Sequence, residues 1–456
     1  MFPQTRCGRV IQRKRCDESS VWGRMMRIVW LCGFSNAEIR ERLSTNKNPL
    51  EPLFARVVHR SVSPASDSGV WITNGIEEMK SEDSVELHII TPIRDLTKSL
   101  QEFEIDRIHY HFFRDENSGL YRKMMRYLFT RNSSLFLKNR KKIREIIDSV
   151  NPDIIHVIGA ENPYYSLALL DVPANIPTIV QLQALLVSLN GKMKGDEAKS
   201  FTYKGELEKQ LIQRADYVGT TVQSFIDFIR KNIKQEAVII NTSLAMGQKI
   251  DVCVDTKKFT FVHFASGLST TKATDIAVKA FASVYKKHPE ITLDLIGNYT
   301  EQFKTELDSI IKENGMEKAV KFEGRLPTHD DVLNQIRKSR YALLPLKTDI
   351  IPNTLHEAMA NGLPLLTTAT ENGTPILNEK RESVLISEIG DVEGLAANMI
   401  RLLEEPDLAE RLRQNAAITE SEYANNHDII NHWVEVYKAI LMNKNEGIPI
   451  PNEFLL

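Results

Sequence analysis

Two acids, Asp349 and Glu357, stand eight positions apart around the stretch Ile350-Ile351-Pro352-Asn353-Thr354-Leu355-His356. Upstream, Leu344-Pro345-Leu346 reads as the end of a buried strand. Downstream, the chain reads as a helix that stops at Gly362, where glycine suits the left-handed turn after a C-terminus. Asn353 is placed to cap that helix, with the N–H groups of Thr354 and Leu355 facing a cleft. A helix N-terminus of this kind attracts phosphate, and carboxylates accept hydrogen bonds from sugar or ribose hydroxyls. The chemistry indicated is therefore a phosphorylated polyol lying along the helix start. The same pattern also fits a plain cap with two acids that favour a helix N-terminus.

Such a segment needs a scaffold, and the chain supplies one twice. Arg27–Phe34 opens as a buried strand, and residues 35–68 read as a long loop with one short helix. Helix and strand then alternate: a helix from Ser68-Gly69-Val70-Trp71, a strand at Ser84–Ile90, a helix at 135–150 and a strand at Asp153–Ile158. A helix at 163–170, a strand at Thr178–Leu182, a helix at 203–214, Tyr217–Thr220 and a helix at 223–233 complete the first run. The pattern restarts with strands at Phe261–Ala265, Ile291–Ile296, Val320–Phe322, Tyr341–Pro345 and Pro364–Thr367, separated by helices at Lys272–His288, Glu301–Asn314, Asp330–Lys338 and Thr354–Ala360. This alternation predicts α/β architecture with two doubly wound, Rossmann-like domains facing each other across a cleft. The expected boundaries are 1–24 for a basic extension, 25–250 for the first domain, 255–425 for the second, and 426–456 for a last helix and tail.

Several short motifs precede the acid pair in the second domain: Ser266-Gly267-Leu268-Ser269-Thr270-Thr271-Lys272, Leu295-Ile296-Gly297 and Phe322-Glu323-Gly324-Arg325-Leu326. In this order, and followed by Glu357-Ala358-Met359-Ala360 with Gly362 and Pro364, they resemble the retaining family 4 glycosyltransferases of GT-B fold. The segments Glu371-Asn372-Gly373-Thr374 and Gly390–Leu395 also resemble loops of that family. Asp349 stands where the family usually has Glu, and Gly267 stands where it has an Arg that holds the donor diphosphate. The resemblance implies a sugar moved from a nucleoside-diphosphate sugar to an acceptor hydroxyl, in polysaccharide or glycolipid assembly.

In that frame Asp349, Glu357 and His156 are the catalytic candidates. Lys272, Gly297, Arg325, Leu326, Asn353, Thr354, Leu355 and Gly69 would hold the donor, and Glu161 and Gln183 would meet the acceptor. His156 lies in Pro152-Asp153-Ile154-Ile155-His156, and reads equally well as a satisfied buried histidine. No metal or other cofactor is expected for the transfer. The resemblance further implies that a last helix, from His427 to Met442, returns to the first domain. A nucleotide-sugar epimerase of the same fold and a non-catalytic nucleotide-sugar-binding subunit are the alternative readings.

Composition bounds the partners. With 58 Lys and Arg against 60 Asp and Glu, the net charge of −2 argues against nucleic-acid binding. No apolar run is long enough for a membrane-spanning helix, and the four cysteines show no metal-ligand spacing, which suits a reducing, cytoplasmic setting. From Leu120 to Arg144 there are nine Lys and Arg and no acids, interleaved with apolar residues. That stretch fits a solvated helix face, the floor of an acceptor cleft, or contact with an anionic membrane surface on its cytoplasmic side. A glycan or lipid-linked molecule is the expected acceptor. Residues 1–24 carry six arginines and lysines without an apolar core, and read as an extension ahead of a start at Met25 or Met26.

Overall fold

The computed structural model describes residues 25–45, 66–116, 135–189, 196–245, 257–347, 352–370 and 373–456. The basic extension, most of the Leu120–Arg144 stretch and Asp349 lie outside these described residues.

The first domain runs β1 (Met26–Leu31), α1 (Ala37–Arg42), α2 (Val70–Met79), β2 (Val85–Ile93), β3 (Leu100–Ile105), β4 (Ile108–Arg114), α3 (Leu137–Val150) and β5 (Ile154–Ile158). It continues with α4 (Pro163–Ser166), β6 (Thr178–Gln181), α5 (Asp196–Arg214), β7 (Tyr217–Gly219), α6 (Gln223–Asn232) and β8 (Val238–Ile240). Its strands form one sheet in the order β3-β4-β2-β1-β5-β6-β7-β8. Only β3 runs antiparallel, paired with β4 across a turn at Asp106-Arg107. Both turn residues have positive φ, of 50° and 69°, the geometry that lets a two-residue hairpin loop follow strand twist. This hairpin occupies a stretch with no expected element, because its outer residues are polar and charged.

The second domain runs β9 (Phe259–Gly267), α7 (Thr274–Tyr285), β10 (Leu293–Asn298), α8 (Glu301–Glu313), β11 (Val320–Gly324), α9 (His329–Ile336) and β12 (Ser339–Leu343). Then follow α10 (Asn353–Ala360), β13 (Leu365–Thr368), β14 (Leu385–Ser387), α11 (Val392–Glu404), α12 (Pro406–Tyr423) and α13 (Asn426–Glu446). Its sheet is wholly parallel, in the order β11-β10-β9-β12-β13-β14. Gly390–Leu395 is more than a loop: Asp391 caps α11 by accepting from the Gly394 amide at 2.8 Å.

Both sheets reverse their winding direction, between β1 and β5 in the first and between β9 and β12 in the second. A crevice opens at each such point beyond the carboxyl ends of the strands. Strands buried on both faces, such as Ile154–Ile158, supply cores above and below each sheet.

α13 belongs structurally to the first sheet. Ile430, Trp433, Val434, Tyr437, Ile440 and Leu441 form one helical stripe and join the core that contains Trp30, Ile72 and Ile158. The Trp30 indole donates to the Tyr437 hydroxyl at 3.0 Å, and the Trp433 indole donates to the Ser243 carbonyl at 2.8 Å. Beyond the helix, Leu455 bridges to Ile240 and covers the edge strand β8.

Candidate functional site

Between the two domains lies a cavity of about 480 Å³, placed beyond the carboxyl ends of β9 and β12. The second domain contributes the end of β9, Lys272, Gly297, Arg325, Leu326, His329 and the start of α10. The first contributes residues 66–71 at the start of α2. Of the expected donor residues, Lys272, Gly297, Arg325, Leu326, Asn353, Thr354 and Gly69 line this one cavity, and so does Glu357.

Two glycines set how closely backbone approaches the cavity. Gly297 has φ of 146°, and a Cβ there would stand 2.3 Å from the Ala265 carbonyl oxygen. Gly69, the left-handed N-cap of α2 with φ of 64°, would place a Cβ 2.7 Å from the Gly33 carbonyl oxygen. Neither α2 nor α10 has a side-chain cap at its N-terminus, and both termini border the cavity. Their first amides lack intrahelical acceptors and carry partial positive charge.

The start of α10 differs from expectation in two respects. Pro352, rather than Asn353, is the N-cap, and Asn353 donates through Nδ2 to Glu357 Oε1 at 2.6 Å. Proline fixes the extended backbone entering the helix, so Asn353 becomes its first residue, with its side chain beside the next turn. Leu355 is fully buried in the core beneath β12, and its amide donates to the Pro352 carbonyl at 3.0 Å. The amides placed for a phosphate are therefore those of Asn353 and Thr354.

Glu357 is 4% exposed, and burial pushes its carboxyl up to about 8, with Glu420 adding in the same direction. His329 lies opposite, with Nε2 3.5 Å from Glu357 Oε1. Its main-chain amide donates to Asp67 Oδ2 at 2.7 Å, and Arg40 pairs with Asp67 at 2.6 Å. An Arg40–Asp67–His329 connection thus joins the two domains at the cavity rim. Arg325 is drawn below the usual arginine range by burial and by the neighbouring Arg40. Three buried polar atoms of the cavity lining, Ser66 Oγ, His329 Nε2 and Asn353 Oδ1, make no hydrogen bond among the described residues. Buried polar groups are normally satisfied, so these atoms mark where a polar ligand fits. Asp67 and His329 were missed in the sequence; the only trace was Thr328-His329-Asp330-Asp331, a capping box for α9.

Among the described residues, His156, Glu161 and Gln183 do not line this cavity. His156 is packed against α13, 4.6 Å from the Trp433 ring, with Nδ1 2.7 Å from the Tyr437 hydroxyl. Burial lowers its imidazole to about 3, so it is neutral and ties α13 to β5. Glu161 and Gln183 lie together behind Trp71. With its amide turned so that both ends are satisfied, Gln183 donates to Glu161 Oε1 at 2.9 Å and accepts from the Trp71 indole at 2.8 Å. Burial raises Glu161 to about 7, and its Oε2 has no partner among the described residues.

Residues 253–419 match the family model described as glycosyl transferases group 1. The chain is 24% identical over 310 residues to an uncharacterized glycosyltransferase of Haemophilus influenzae, covering 66% of this chain and 79% of that protein. Among solved structures, sucrose-phosphate synthase from Thermosynechococcus elongatus superposes with a TM-score of 0.65 at 14% identity, over 91% of this chain and 99% of the other. Anabaena HepE in complex with UDP and glucose superposes at 0.59 with 17% identity, over 91% and 100%. The fold is GT-B, and the second domain is a group 1 glycosyltransferase domain.

Proposed function

We propose that this chain, through its group 1 glycosyltransferase domain, moves a sugar from a nucleoside-diphosphate sugar to an acceptor hydroxyl with retention of anomeric configuration. One observation carries the reading: Lys272, Arg325 and the start of α10 converge on the same interdomain cavity as Glu357. Transfer places negative charge on the departing diphosphate, and fixed cations and helix amides stabilise that charge where it develops. Lys272, Arg325 and the Asn353 and Thr354 amides take this part. Glu357, protonated near neutral pH, both donates to and accepts from a ribose hydroxyl, and Asp349 meets the donor sugar. Across the cavity, Trp71, with Gln183 and Glu161 behind it, orients the acceptor. The UDP bound by HepE supports a uridine nucleotide as the first donor to try.

Polysaccharide or glycolipid assembly is the setting that fits, with a glycan or lipid-linked acceptor. Leu135 and Leu137 stand exposed next to Lys138 and Lys141, a combination suited to an anionic lipid surface. No helix among the described residues is long and apolar enough to cross a membrane.

The test is a panel of UDP-, GDP- and ADP-sugars, read first by thermal stabilisation and then by nucleoside-diphosphate release with and without acceptor. A cognate donor raises the melting temperature of the wild type and not of Glu357→Ala. Equal nucleotide binding by both proteins, with transfer by neither, overturns the site. Glu357-dependent binding without transfer makes the chain a nucleotide-sugar-binding subunit instead. Product anomers resolved by NMR decide retention.

A further inference from the structure

At the far edge of the first sheet, strand register brings together residues from three strands. His88 of β2 pairs with His109 of β4, while Glu102 and Glu104 of β3 pair with His111 and His109. Glu86 lies two positions before His88 and so on the same sheet face. None of these residues takes part in the interdomain cavity.

Their hydrogen bonds form a chain whose polarity can be worked out. A carboxylate only accepts, so at 2.6 Å from Glu102 Oε1 the donor is His111 Nδ1. In neutral His111, Nε2 is then an acceptor, and it lies 2.9 Å from His88 Nδ1, which must donate. That leaves the lone pair of His88 Nε2 facing Glu86 Oε1 at 3.0 Å. Arg27 Nε is already engaged at 3.1 Å on the same oxygen. With His111 neutral, two acceptors therefore face each other at this contact.

We propose that Glu86, His88 and His109 form a binding site for a divalent first-row cation, zinc by its donor set. One ligand atom from each lies within 4.8 Å of the others. Two ligands about 2.0 Å from a tetrahedral zinc stand about 3.3 Å apart, near the observed His88–Glu86 separation. The His109 ring, stacked on His88 at 4.6 Å, swings off that stack to coordinate. Glu102 and His111 act as positioning residues that fix the tautomer of His88. The cation staples the β3–β4 hairpin and β2 together at an otherwise exposed sheet edge. A proton on His111 would satisfy the same chain without a metal, and the experiment separates the two.

The full chain, freed of metal by a chelator, is titrated with Co2+ alone at neutral pH and then with Zn2+. The expected result is one Co2+ per chain with the visible absorption of a tetrahedral site, displaced by Zn2+, and a melting temperature raised by either ion. His109→Gln and Glu86→Gln, both at partly exposed positions, weaken binding tenfold or more. Glu102→Gln weakens it roughly 10–100-fold through His111, while His288→Gln leaves it unchanged. Absence of Co2+ uptake, or uptake unaffected in the His109→Gln, Glu86→Gln double variant, overturns the proposal and leaves a proton as the link.

Discussion

His329 Nε2 and Glu357 Oε1 lie 3.5 Å apart at the interdomain cavity, an imidazole and a carboxyl that burial drives toward their neutral forms. Burial lowers His329 and raises Glu357 to about 8. A carboxyl raised on folding keeps a proton that the unfolded chain releases, so stability falls as pH climbs from the unfolded value of 4.5 to about 8. Glu357→Gln removes that penalty. The variant matches the wild type in acid and exceeds it above about pH 8 by on the order of a few kcal/mol. Denaturant unfolding of both proteins across this range checks it.

In the proposed reaction Lys272 and Arg325, which line the cavity, act on the diphosphate. Lys272→Ala and Arg325→Ala each lower kcat/KM by about 10²-fold, and nucleoside-diphosphate affinity weakens with added salt less steeply than in the wild type. Steady-state kinetics and calorimetry at two ionic strengths measure both effects. Melting temperatures of the free variants stay close to that of the wild type, since both side chains line the cavity.

Trp433 and Tyr437 hold α13 against the first sheet. Trp433→Ala costs about 3–5 kcal/mol, and the first domain then melts ahead of the second, splitting the calorimetric transition. Tyr437→Phe leaves the Trp30 indole without its acceptor and costs about 1–3 kcal/mol. His156→Gln destabilises in the same way. A kcat effect of His156→Gln larger than its loss of folded protein contradicts the structural role assigned to His156.

Glu161, raised to about 7 by burial, sits behind Trp71 and Gln183. Glu161→Gln is expected to raise acceptor KM about tenfold or more while the donor dissociation constant is unchanged. Its stability exceeds that of the wild type by an amount that grows from pH 4.5 to about 7 and then levels off, by the same sign argument. Initial-rate measurements with one substrate varied at a time separate the two sites.

The alternation of strands and helices was enough to establish two doubly wound domains, because fully buried parallel strands leave continuous apolar runs that neighbours in sequence cannot hide. Local motifs likewise singled out Lys272, Gly297, Arg325, Asn353, Thr354 and Glu357, which line one cavity, because each sits at a single turn or helix start. What the sequence withheld depends on distance in space. Asp67 and His329 are 262 positions apart, and only domain closure makes them neighbours. His156 looked like a catalytic candidate until α13, arriving from the far end of the chain, buried it under Trp433 and Tyr437. Periodicity in α13 was present in its Ile430–Leu441 stripe, but a stripe names no partner. Glu86, His88 and His109 carry no ligand spacing along the chain because the register of β2 against β4 creates their cluster. Helix starts and strand ends are local and were written in the residues; charge states and pairings across the cleft, under α13 and at the sheet edge required burial, which only the tertiary structure supplies.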